Sequence, residues 1–160
     1  VPFQVESVND SSIDKLTIRA ATAAGVFSTA EAKADGTITG ADVGDLDANG
    51  YPEIYVFVTS AGSGSYGSLV AYASNRNKSL SPITMASPPQ DNRYRGHDRF
   101  AIGEGALIRS HPLYGPGDPN SKPGIPAHRQ IQYKLKAGET GWLLVIDKAF
   151  DIPTNTLHTK

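Results

Sequence analysis

Between Asp45 and Glu53 the chain reads Asp-Leu-Asp-Ala-Asn-Gly-Tyr-Pro-Glu, with side-chain oxygens at the first, third, fifth and ninth places and glycine at the sixth. That spacing suits a hard cation. Calcium takes several oxygen ligands, and Asp45, Asp47, Asn49 and Glu53, joined by the carbonyl of Tyr51, can converge on one ion across a tight turn. The twelfth place, where an EF-hand carries a bidentate glutamate, is Val56, so the loop is not an EF-hand. The same residues also make an Asx-rich turn with no metal in it, Asn49-Gly50 supplying positive φ and the aspartates accepting backbone N–H groups. Calcium and the bare turn both stay open.

A second group, Ser60-Ala61-Gly62-Ser63-Gly64-Ser65-Tyr66-Gly67, sets small residues around one tyrosine. Small residues let a partner approach the backbone. Tyr66 would then be a large, rigid anchor among adaptable hydrogen-bonding neighbours, a division of labour that binding loops use. The alternative is a plain flexible hairpin tip. A nucleotide-binding glycine loop is disfavoured, because no helix follows to present its N-terminus to a phosphate.

A third group, Asp91-Asn92-Arg93-Tyr94-Arg95-Gly96-His97-Asp98-Arg99, concentrates arginine, tyrosine and histidine. It reads either as recognition residues, with Arg93, Tyr94, Arg95 and His97 as rim contacts, or as a solvated turn. His97 beside Asp98 looks like a base and its orienting partner, yet neighbours in extended chain point to opposite faces. A hydrolase built on Asp98, His97 or Glu104 lacks a complete constellation. His111, His128 and His158 are scattered without metal-ligand spacing, and no Gly-x-Ser-x-Gly elbow is present. The chain therefore reads as a binding protein and not as an enzyme.

The elements that must hold these groups are strands. Glu53–Thr59 is apolar on both faces, so it should be central, with Ile54, Val56 and Val58 facing one way and Tyr55 and Phe57 the other. Ser68–Tyr72 follows as its hairpin partner, with the Gly/Ser group at the tip. Leu16–Arg19, Gly36–Thr39, Phe100–Ile102, Ala106–Arg109, Ile131–Lys136 and the two-sided run Trp142–Ile146 complete about seven to eight strands. Ser28–Ala34 is expected to be a short helix or turn, since Ser28 and Glu31 have capping-box spacing. Residues 112–126, rich in proline and glycine, are expected to form a surface loop over a sheet edge. The fold class expected is all-β, an antiparallel β-sandwich in a single domain spanning residues 1–160.

Composition fits such a domain. The 160 residues are 39% hydrophobic and 19% charged, enough apolar content to bury a core. Fifteen basic and sixteen acidic side chains leave a net charge of -1, which argues against a nucleic-acid partner. There is no cysteine, so disulfides and thiolate metal sites are excluded. No apolar run reaches the length of a membrane span. The chain starts at Val1 with no methionine, from which removal of an N-terminal segment and export are expected.

The acidic turn running into Pro-Glu-Ile-Tyr-Val, then Ser-Ala-Gly-Ser-Gly-Ser-Tyr-Gly, then Gly-His-Asp-Arg-Phe-Ala-Ile, together resemble the periplasmic inhibitors of invertebrate-type lysozyme over most of residues 35–150. In that family a Ser-Gly-x-Tyr loop is the inhibitory element, and it matches Ser63, Gly64, Ser65 and Tyr66. The resemblance implies an antiparallel β-sandwich able to form a homodimer, a periplasmic or secreted bacterial location and an invertebrate-type lysozyme as partner, with no cofactor required. The competing expectation is a calcium-stabilised exported β-domain that binds a glycan or a cell-surface protein.

Overall fold

The computed structural model describes residues 2–7, 14–60, 65–114, 127–139 and 141–153. Their regular structure is eleven strands and no helix: β1 (Phe3–Ser7), β2 (Asp14–Thr22), β3 (Gly25–Ala34), β4 (Thr37–Gly44), β5 (Glu53–Thr59), β6 (Gly67–Asn75), β7 (Ser79–Met85), β8 (Arg99–Gly103), β9 (Ala106–Leu113), β10 (Ala127–Ala137) and β11 (Trp142–Pro153). They form a three-stranded sheet, β1-β2-β3, and an eight-stranded sheet in the order β4-β5-β6-β7-β11-β10-β9-β8. All neighbours are antiparallel except β7 and β11, which run parallel from Ile83 opposite Trp142 to Met85 opposite Leu144.

The protein is all-β as expected, but the large sheet curls into a nearly closed barrel and is not half of a two-sheet sandwich. Its edge strands approach each other where Gly44 backs onto Ile102, close enough that a Cβ on Gly44 would lie 3.2 Å from that side chain. The interior holds Tyr55, Leu107, Ile131, Tyr133 and Leu144. A second core lies outside the barrel wall, where Leu16 and Ile18 of the small sheet meet Ile54, Val56 and Val58. Strand β5 is thus apolar on both faces for two separate reasons: Tyr55 and Phe57 fill the barrel and Ile54, Val56 and Val58 support the covering sheet. Each such aliphatic side chain, removed from water, contributes about 1.5–3 kcal/mol. The two-sided pattern that suggested a sandwich arises from a barrel with one wall covered.

Two local expectations are corrected. Ser28–Ala34 is strand, not helix: Ala30, Ala32 and Ala34 turn inward and Thr29, Glu31 and Lys33 outward, and the segment pairs with β2 from Ala34 opposite Asp14 to Ser28 opposite Ala20. Pairing and burial override the alanine-rich helical propensity. Of residues 112–126, expected as a surface loop, Pro112 and Leu113 are strand, because β9 runs through to Leu113. Proline is accommodated there because the ladder to β8 has already ended, at Ser110 opposite Arg99. Residues 115–126 lie outside the described residues.

Candidate functional site

Strands β5 and β6 pair from Glu53 opposite Ala73 to Thr59 opposite Gly67, so their connection projects from one end of the barrel. The neck of that connection is closed twice: Ser60 N–H donates to Tyr66 O at 2.8 Å, and Tyr66 N–H donates to Ser60 Oγ at 3.0 Å. Ser65 has φ of 50°, a left-handed conformation that turns the chain back toward β6. Tyr66 is 45% exposed. Ser63 and Gly64, the other matched positions, lie outside the described residues.

The third sequence group packs against this connection. His97 N–H donates to Ser65 O at 3.0 Å, and the Tyr66 ring meets the edge of Tyr94 with centroids 5.5 Å apart. Tyr94 is itself fixed, since its ring contacts His111 at 4.6 Å and its hydroxyl donates to Asp98. Burial and the Asp98 carboxylate push the Tyr94 phenol up to about 12, so it stays protonated and a donor.

Asp98 organises the cluster. Its side chain is fully buried, pairs with Arg109 Nε at 2.7 Å and accepts the Gly67 N–H at 2.9 Å. Gly67 is glycine for a steric reason: a Cβ there would lie 2.6 Å from Asp98 Cβ and 2.8 Å from the Phe100 ring. Arg109 also donates to the Tyr94 hydroxyl at 3.2 Å. A buried ion pair thus braces an aromatic side chain, which in turn supports an exposed one.

Sequence reasoning located the two loops but not what joins them. His97 and Asp98 point apart as expected, His97 being exposed and the Asp98 side chain buried. Arg93 is committed to Asp91 through contacts of 3.1 and 2.8 Å, and Arg95 donates to Tyr94 O at 3.1 Å. Arg109 and His111 were missed as members. Their alternation with Leu107 and Leu113, all four buried, is the signal that β9 turns them inward.

The acidic group sits elsewhere, in the β4–β5 turn. The seven residues of β5 separate it from the Tyr66 end by about 20 Å at roughly 3.3 Å per residue. Asp45 accepts N–H groups from Asn49 at 3.1 Å and Gly50 at 2.9 Å, and Asn49 Oδ1 accepts the Tyr51 N–H at 2.8 Å, so the Asx turn is formed. Positive φ falls on Ala48 and Gly50, not on Asn49. One ligand atom each from Asp45, Asp47 and Glu53 lies within 4.8 Å of the others.

Glu53 is buried, with Oε1 accepting from Leu46 N–H at 2.8 Å and from the Tyr55 hydroxyl at 3.0 Å. Burial, reinforced by the charges of Asp47 and Asp45, lifts its carboxyl to about 7. Asp47 is raised for the same leading reason, and its Oδ1 is buried with no hydrogen-bond partner. Asp45, Asp47 and Glu53 converge as calcium ligands would. The Asn49 side chain is already engaged by the turn.

Compared with protein-family models, with curated proteins and with solved structures, the chain finds no match. Among the described residues no helix is long and apolar enough to cross a membrane.

Proposed function

We propose that this chain is a periplasmic protein inhibitor of an invertebrate-type lysozyme, acting through the loop Ser63-Gly64-Ser65-Tyr66. The observation that supports it is the exposed Tyr66 held against a Tyr94 that the buried Asp98–Arg109 pair keeps in place. A lysozyme cleaves its glycan between two carboxyl groups facing a cleft, so an inhibitor must fill that cleft and supply donors to the buried carboxylates. Ser63 donates its hydroxyl to one of them, Gly64 permits close backbone approach, and Tyr66 packs along the cleft wall. His97 and Arg95, on the neighbouring segment, meet the rim. Ser63→Ala should weaken inhibition about tenfold or more with an unchanged melting temperature, while Ser65→Ala, at the variable place, should leave it within about twofold. Equal effects from the two substitutions would remove the assigned roles.

A second reading is favoured by the convergence of Asp45, Asp47 and Glu53 around an unpartnered Asp47 oxygen. It takes the protein as a calcium-stabilised exported domain that binds a glycan or a cell-surface protein. Calcium at a hundred times its dissociation constant would add about 2.7 kcal/mol to folding. A melting temperature that millimolar calcium leaves unmoved at pH 8 would dismiss the metal.

A further inference from the structure

We propose that the protein has a second binding site, for an uncharged carbohydrate, in the groove beneath the strap formed by residues 88–92. After β7 the chain stays beside β11, with Ala86 N–H donating to Leu144 O at 2.9 Å, and the strap then lies against β10 and β11. Asp91 ties it down, contacting Arg129 of β10 at 2.8 Å, and Arg129 reaches Asp151 of β11 at 2.8 Å. On one side of that ion pair is a cavity of about 460 Å³, walled by Pro88, Pro89, Tyr94, Arg109, His111 and Ile131. On the other is a second lobe of about 630 Å³, reaching Ile146 and Phe150. The two share Pro88, Pro89, Gln90, Asp91, Arg129 and Ile131, so they form one trough. The size is that of small-molecule sites.

The chemistry of the walls selects the ligand. Every charged side chain lining the trough is already paired: Arg109 with Asp98, Arg129 with Asp91 and Asp151, and Asp91 with Arg93 as well, so that charges cancel. A charged ligand would lose water without gaining a counter-ion, which is costly. His111 is neutral as well, since burial holds it below the usual histidine range. Its Nδ1–H donates to Pro112 O at 2.9 Å, a contact a carbonyl can only accept, which leaves Nε2 as an acceptor.

Gln90 and Asn92 are exposed on the strap and contribute amides that can both donate and accept. The proline rings and the Tyr94 ring supply apolar faces. A neutral sugar ring offers the complement, a C–H face for those walls and hydroxyls for the amides. The second lobe, with Phe150 41% exposed at its border, extends the site to more than one ring. This site shares Tyr94 and Arg109 with the platform beneath Tyr66, but its strap residues Gln90 and Asn92 belong to neither that platform nor the lysozyme loop.

The test is a two-dimensional amide NMR titration of the intact protein with neutral trisaccharides (N,N′,N″-triacetylchitotriose, cellotriose, maltotriose) and with a uronic-acid disaccharide as charged control. At least one neutral sugar should shift Gln90, Asn92 and Arg129 with a dissociation constant between micromolar and millimolar, and the charged one should not. The Gln90→Ala, Asn92→Ala double variant, altered only on the exposed strap, should bind about tenfold more weakly through loss of hydrogen bonds, with its melting temperature unchanged. No shift at the strap from any neutral sugar at its solubility limit, stronger binding of the charged sugar, or equal binding by the folded double variant would overturn the proposal.

Discussion

Replacing Asp98 by alanine should cost about 3–5 kcal/mol of folding stability, because it leaves the Arg109 guanidinium buried without a counter-charge. The side chains of the pair are 0% and 8% exposed, so water cannot repair the loss. The substitution also takes the acceptor from the Tyr94 hydroxyl and the Gly67 N–H. For a domain of this size the penalty corresponds to a melting temperature lower by about 6–20 °C. Urea denaturation of the wild type, Asp98→Ala, and the closed cycle of Asp98→Leu, Arg109→Met and the Asp98→Leu, Arg109→Met double variant measures it. The double variant should recover the part of the loss that comes from the unpaired guanidinium but not the part that comes from the Tyr94 hydroxyl and Gly67 N–H left without an acceptor, and the coupling energy should reach about 2–4 kcal/mol. An Asp98→Ala protein within about 1 kcal/mol of wild type, or additive single effects, would refute the idea that this pair holds the Tyr66 platform together.

Gly67→Ala should destabilise the fold by about 1–3 kcal/mol, because the new Cβ meets Asp98 and Phe100 at 2.6 and 2.8 Å; thermal denaturation reads the loss. Glu53 makes stability depend on pH. Its carboxyl, about 7 in the folded protein against 4.5 in the unfolded chain, holds its proton more tightly when folded. Stability should therefore be highest below pH 4.5 as far as this group is concerned, fall as pH rises towards 7, and level off above it, by about 3 kcal/mol in all. Denaturation midpoints measured across that range without calcium should show the fall, and Glu53→Gln should flatten it.

Strand β5, its Ser68–Tyr72 partner and the later strands were legible because their apolar runs and alternation reflect burial directly. The barrel was not, because curvature depends on the pairing of distant strands, such as β7 beside β11, and on β4 meeting β8. Strand β3 was hidden because its alanines favour helix and Ser28 and Glu31 have capping-box spacing, although the two-residue alternation with Thr29, Glu31 and Lys33 is that of a strand. The candidate site was half legible: Tyr66 and Tyr94 are conspicuous in the sequence, but Asp98 pairs with Arg109 eleven residues along, and only the β8–β9 register brings them together. The convergence of Asp45, Asp47 and Glu53 was legible from spacing alone, because a tight turn enforces it locally.

The central claim rests on Tyr66 and its loop, and a titration of invertebrate-, chicken- and goose-type lysozymes digesting bacterial cell walls tests it most directly. Wild-type protein should inhibit the invertebrate-type enzyme selectively. The Ser63→Ala, Tyr66→Ala variant, equally folded because Tyr66 is exposed, should inhibit it at least a hundredfold less, as expected for loss of a central anchor. If the folded wild-type protein inhibits none of the three enzymes, or the variant inhibits as well as the wild type, the account is contradicted.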